Sequence, residues 1–159
     1  MHSRFGTQVN LRRRSLARTA LLTLALATSH AAWCQPMTIT LAGQSMIRSD
    51  IRKTAPEALD GIRPLLRGDV IFTNLEGAIA EPGQSVTQGR GFLAPPEALD
   101  ALQTLGFNLL ALSDNHAFDM GVSGIQNTLH EAQRRGIVHA GIGENLAQAT
   151  APAYLHTAH

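Results

Sequence analysis

Asp114, Asn115 and His116 follow one another directly after the apolar run 109–112 and Ser113, and Asp119, Gly121 and Gly124 come soon after. A carboxylate and an amide carbonyl are hard oxygen donors for a divalent cation, and an imidazole is either a ligand or a proton donor to a leaving group. Glu76 stands in a similar place, behind Asn74 and Leu75 at the end of another apolar run. Together these residue types suit hydrolysis of an ester or phosphate, in which a cation activates water and counters the charge of the transferring group. Each has an ordinary alternative. Asn74 could make an Asx turn, Glu76 could be a solvated turn residue, Asp114 and Asp119 could cap backbone amides before a helix, and His116 could be a plain hydrogen-bonded histidine. For residues 114–116, clustering directly behind a buried strand favours the chemical reading.

Four alternations of strand and helix position these residues. Residues 37–42 read as a strand. Residues 55–68 read as a helix with Leu59, Ile62, Leu65 and Leu66 on one side, kinked or broken at Pro64. A second strand spans 69–74, and a second helix spans 95–106, with proline at its start and glycine at its end. The third strand, 108–113, is apolar without alternation, as suits a parallel strand covered on both faces. A helix over 123–136 comes next, with Ser123 and Gln126 as a capping box and Gly136 as its stop. A short strand over 137–143 and a helix over 144–151 complete the series. The pattern predicts an α/β fold with a largely parallel sheet and crossover helices. In such sheets ligands sit at the carboxyl ends of the strands. That rule brings Gly43, Gln44 and Ser45, then Asn74 to Gly77, then Ser113 to His116 to one edge, with the polar loop 80–91 able to cover it.

The chain has 159 residues, 44% of them hydrophobic and 16% charged, with net charge +1. Much of the positive charge lies in the first eighteen residues, so the remainder of the chain is mildly acidic and carries no basic patch to track phosphates. Nucleic acid is therefore excluded as the expected partner. Residues 1–31 read as a cleaved signal peptide, with a basic region, a short apolar stretch from Ala20 to Ala27 and small residues at Ser29 and Ala31. Arg13 to Arg18, "RRSLAR", also resembles a twin-arginine signal. Either route places the mature chain outside the cytoplasm, periplasmic or extracellular, without a permanent membrane span. Cys34 is the sole cysteine, so no internal disulfide exists, and Trp33 before it argues against lipoprotein attachment there.

The stretches "DVIFTNLEGAI", "LLALSDNHAFDMGVSG" and "GIVHAGIGENLAQA", in this order and spacing, resemble the CapA family of capsule-biosynthesis proteins, the poly-γ-glutamate synthesis proteins. That family is similar to the calcineurin-like metallophosphoesterases. The resemblance runs from Thr38 to Ala149 and implies that residues 37–159 are the N-terminal part of an αββα domain. It implies that Glu76 and Asn115 belong to a divalent-metal site and that His116 stands beside the substrate, with Asp114 its catalytic or supporting neighbour. Asn74 would support the site, and Asp119 and Gly121 would shape the turn. The implied substrate is an anionic polymer or a phosphoester, and the implied partner a membrane-bound synthase complex.

Two departures bear on activity. The family's first strand ends in Gly-Asp, where this chain has Gly43-Gln44, and a neutral amide binds a divalent cation less strongly than a carboxylate. Asp50 is the nearest replacement. The sequence also stops where the family continues with histidine-containing loops, so a truncated chain with an open apolar sheet face is expected, and His156 and His159 read as a frayed terminus. The second function class is accordingly a non-catalytic relative that binds a polymer or a synthase. A third, a nucleotide-binding module at Gly141 to Gly143, is disfavoured because Leu146 occupies the position of the third glycine.

Overall fold

The computed structural model describes residues 36–86 and 90–158, so the leader and Cys34 lie outside the described residues. Strands β1 (Ile39–Ser45), β2 (Val70–Leu75), β5 (Leu109–Ala111) and β6 (Val138–Ala140) form one sheet in the order β1-β2-β5-β6. Every neighbouring pair in it is parallel. Helices α1 (Ile51–Thr54) and α2 (Pro56–Ile62) cross from β1 to β2. Helix α3 (Glu97–Leu105) precedes β5, α4 (Gly121–Arg134) joins β5 to β6, and α5 (Leu146–Ala149) comes last. A separate parallel pair, β3 (Ala78–Ile79) with β4 (Leu93–Ala94), closes the base of the 80–92 loop. The fold is the expected α/β arrangement with a parallel sheet and crossover helices.

The core lies between one sheet face and the helices. Ile71, Leu75, Leu110 and Leu112 from the strands join Leu99, Leu102 and Leu105 of α3, and Leu129 and Ala132 of α4, in one buried cluster. Helix α3 forms because its apolar residues recur at helical spacing, with Ala98, Leu99, Ala101, Leu102 and Leu105 all buried. It stops at Gly106, whose φ of 100° lets its N–H turn back to the carbonyls of Leu102 and Gln103.

Several elements differ from the sequence reading, each for a local reason. The helix over 55–68 breaks at Pro64 as expected, ending at Ile62 and tightening into a 3-10 turn at Arg63–Leu65, but its apolar side is not the expected one. Only Leu59 of its expected apolar side is buried in the helix, Leu66 packs against the core edge, and Leu65 is 77% exposed. The Ser123/Gln126 capping box does not form. The helix has already begun at Gly121, and the Ser123 hydroxyl donates to the Met120 carbonyl at 2.9 Å. Helix α1 and the two-residue strands β3 and β4 are too short to show a periodicity in the sequence.

A chain of ion pairs fastens the helical layer. Asp50 caps α1 and pairs with Arg52 at 2.8 Å, and Arg52 reaches Asp100 of α3 at 3.3 Å. Asp100 also accepts from Arg135 at 3.1 Å, and Arg135 and Arg134 both pair with Glu131 of α4. The hydrogen bond from Arg134 is the largest of the influences that hold the Glu131 carboxyl down at about 2, against an ordinary 4.5, outweighing its burial. Because the folded value is depressed, the stabilisation is present above pH 4.5 and is lost as pH falls toward 2. It amounts to roughly 3 kcal/mol. The Glu131→Gln chain should therefore show a shallower loss of stability across that window in acid unfolding followed by circular dichroism. Parallel curves for the two chains would refute the assignment.

The other sheet face is apolar and largely open. Met37, Ile39, Leu41, Val70, Phe72 and Leu109 line a trough along it, with Leu41 74% exposed. Residues 153–157 run along this trough without ladder pairing. Ala153, Leu155 and Thr157 are half-buried, while Tyr154 and His156 between them face solvent.

Candidate functional site

Register sets the site's floor. Gln44 lies opposite Asn74, and Asn74 lies opposite Ala111, so the carboxyl ends of β1, β2 and β5 stand side by side. A register shift in β1 between Leu41 and Gln44 is held by Thr73, whose fully buried hydroxyl donates to the Gly43 carbonyl at 2.7 Å and bonds the Ser45 hydroxyl. The Asn74 side-chain amide donates to the carbonyls of Ala111 and Ser113, tying β2 to the chain leaving β5.

Above that floor two strand ends lean on each other. Glu76 is buried, and its backbone N–H donates to the Ser45 carbonyl at 3.2 Å. Asp114 Oδ1 accepts from the His116 backbone N–H at 2.6 Å, and the Ala117 N–H donates to the Asp114 backbone carbonyl at 3.4 Å. Burial is the largest influence on this carboxyl and pushes it above the ordinary carboxylate range, against the bond from His116.

His116 is held from one side and aimed from the other. Its Nδ1 bonds Asp119 Oδ2 at 2.8 Å, and its Nε2 lies 3.8 Å from Glu76 Oε1. An ionised carboxylate only accepts, so this partnership keeps the ring proton on Nδ1 and leaves Nε2 as the working nitrogen. Asp119 Oδ2 also accepts from the Phe92 backbone N–H at 2.6 Å, fixing the end of the 80–92 loop to the same carboxylate. The Phe92 ring, 4% exposed, lies 6.1 Å from the imidazole, centroid to centroid. Gly91 makes this approach workable, since a Cβ there would sit 2.8 Å from Asp119 Oδ2.

The structure thus brings Glu76, Asp114, His116 and Asp119 together, with Asn74 bridging the strands beneath. Asn115 is exposed on the turn after Asp114, and Gln44 is exposed at the end of β1. Asp50 is engaged elsewhere: its carboxylate caps α1 and pairs with Arg52 and Lys53. Asp119 accepts the Phe92 N–H and bonds His116, and the residue at the cap position of the helix that comes after it is Met120. Phe92 and Gly91 were not foreseen. The nearest signal was the close of a long polar loop on Gly-Phe, just before a proline-started helix.

Two buried carboxylate oxygens, Glu76 Oε2 and Asp114 Oδ2, have no hydrogen-bond partner. Orphaned oxygens of this kind are the donors a hard cation requires, because leaving them dry and unpaired is costly. Among the described residues, no group of three or more His, Cys, Asp or Glu side chains stands close enough to hold a metal ion. Glu76 and Asp114 thus offer unpaired oxygens, and by themselves they do not enclose an ion.

The chain is similar to known proteins over most of its described residues. A family model described as "Bacterial capsule synthesis protein PGA_cap" matches residues 38–159. The uncharacterized protein y4sH of Sinorhizobium fredii is 32% identical over 128 residues, covering 76% of this chain and 28% of that protein. A second uncharacterized protein of the same organism, y4uA, is 38% identical over 101 residues, covering 59% of this chain and 22% of that protein. The chain thus spans about a quarter of the length of these curated relatives.

Proposed function

The chain belongs to the PGA_cap family of bacterial capsule synthesis proteins, and on that premise we propose that its strand ends form one wall of a phosphoesterase-type hydrolytic site acting in cell-surface polymer synthesis. Family membership ties the chain to capsule biosynthesis; the reaction is our reading. The observation that carries it is the His116–Asp119 pair, with Nε2 turned toward Glu76 beside two orphaned carboxylate oxygens.

In this reading Asp119 holds the imidazole by its Nδ1–H, and the imidazolium form of His116 gives its Nε2 proton to the leaving oxygen, which leaves the ring as the Nδ1–H tautomer. Glu76 and Asn115 would hold a divalent cation, with the orphaned oxygen of Asp114 supporting it. Such an ion, when bound, lowers the pKa of water and counters the charge of the phosphoryl group. Asp114 sets the turn that carries His116 by accepting the His116 N–H on its carboxylate and the Ala117 N–H on its backbone carbonyl. A leader of the kind read over residues 1–31 would take this chemistry outside the cytoplasm, where an anionic polymer or a synthase complex would be the partner. No helix among the described residues is long and apolar enough to cross a membrane.

The test is turnover of bis(p-nitrophenyl) phosphate by the full chain with added Mn²⁺ or Zn²⁺. The His116→Ala chain should lose about 10²- to 10⁴-fold in rate, the range that positioned proton transfer contributes. Absence of turnover in the unaltered chain, or turnover indifferent to His116, overturns the hydrolytic reading. A second reading, polymer binding without turnover, is favoured by one observation. Gln44 puts an amide where a carboxylate ligand would complete the set, and the described donors do not close around an ion.

A further inference from the structure

Arg48 is exposed and has no ion-pair partner among the described residues, whereas Arg52, Arg134 and Arg135 are each paired with carboxylates. Its guanidinium carbon lies 4.1 Å from the centre of the Phe92 ring. A guanidinium held against a ring face gains cation–π attraction and keeps in-plane N–H groups available to a planar oxyanion. Phe92 is the residue that packs against His116 and donates its backbone N–H to the carboxylate holding His116. One buried ring therefore carries a free cation and adjoins the working imidazole.

A cationic side chain at this edge favours an anionic substrate. Glu76 and Asp114 present carboxylate oxygens at this edge, and an anionic substrate approaching them meets repulsion unless a cation faces it. Asp50, the nearest carboxylate in sequence, is committed to Arg52 and Lys53 and does not pair with Arg48.

We propose that Arg48, seated on Phe92, is the specificity residue that receives the anionic oxygens of the substrate beside His116. The group recognised is a planar or tetrahedral oxyanion, from either a phosphoester or a carboxylate-bearing polymer. This rests on the hydrolytic reading for its catalytic consequence but not for the binding itself.

The test separates the two. Titration calorimetry of the full chain at low salt, with inorganic phosphate in one arm and glutarate in the other, reads binding without turnover. In at least one arm binding should weaken about tenfold or more in Arg48→Ala and recover partly in Arg48→Lys, because a single ammonium restores charge without the fork. That arm identifies the source of the oxyanion. Where turnover is present, Arg48→Ala should raise KM about tenfold and lower kcat by less than threefold, while His116→Ala lowers kcat and keeps its Arg48-dependent binding. Thermal melting of both Arg48 variants within about two degrees of the parent shows that the fold is intact. Failure of turnover alone, with Arg48-dependent binding retained, overturns the hydrolytic reading and supports this one. Binding unchanged in Arg48→Ala, or no binding of either anion by the parent, overturns the assignment of Arg48.

Discussion

The Gly77→Ala chain should be destabilised by about 2–6 kcal/mol, the combined range for a strained backbone and an overpacked contact. Gly77 has φ of 138°, a conformation that residues with a side chain rarely adopt. A Cβ there would sit 2.7 Å from Phe92 Cδ1 and 2.9 Å from the Phe92 carbonyl oxygen. A ring can yield by rotating, but the carbonyl is fixed by the N–H of Ala78 at 3.1 Å, the bond that closes β3 on β4. Phe92 in turn packs on His116 and donates its N–H to Asp119, so strain here reaches the residues that hold His116. Urea unfolding should show the midpoint falling with little change in slope. Adding Phe92→Leu should restore only the part due to the ring. An unchanged midpoint would mean that the turn does not need its glycine.

The second large effect lies in the core. Leu99 is fully buried on α3 and belongs to the cluster that seals the helical side of the sheet. Leu99→Ala should cost about 2–5 kcal/mol, the range for deleting such a side chain and leaving a cavity. Leu65→Ala is the matched control. The sequence alone puts Leu65 on an apolar helix side, but in the structure it is 77% exposed, so its loss should change stability by less than about 0.5 kcal/mol. Comparable losses at the two positions would contradict the observed packing.

That contrast shows what the sequence discloses and what it withholds. Strand β5 and helix α3 are legible because their signals are self-contained: an unbroken apolar run in one, and a proline start, helical spacing and glycine stop in the other. The segment 55–68 discloses its break at Pro64 but misleads in its apolar side, because helical spacing does not reveal that Leu65 turns out to solvent beyond the break. The start of α4 misleads for a related reason. Gly121, at φ 63°, enters the helix two residues before Ser123 and removes the need for its cap.

The site divides in the same way. The nearness of Glu76 to residues 114–116 results from parallel strands sharing one carboxyl edge. The pairing of His116 with Asp119 is a three-residue reach within a turn. The role of Phe92 is not legible, because it depends on where a long polar loop returns, and the commitment of Asp50 to Arg52 depends on a helix too short to announce itself.

The segment 153–157 bears on how the chain is born. Synthesis runs from the N-terminus, so β1, β2, β5 and β6 and the helices that cover one side of them all leave the ribosome before Leu155 does. Throughout that interval Ile39, Leu41, Phe72 and Leu109 form an apolar row with nothing laid across it. Emergence of 153–157 then covers only part of that row, with Leu41 still 74% exposed, so this edge is open to association both during synthesis and after it.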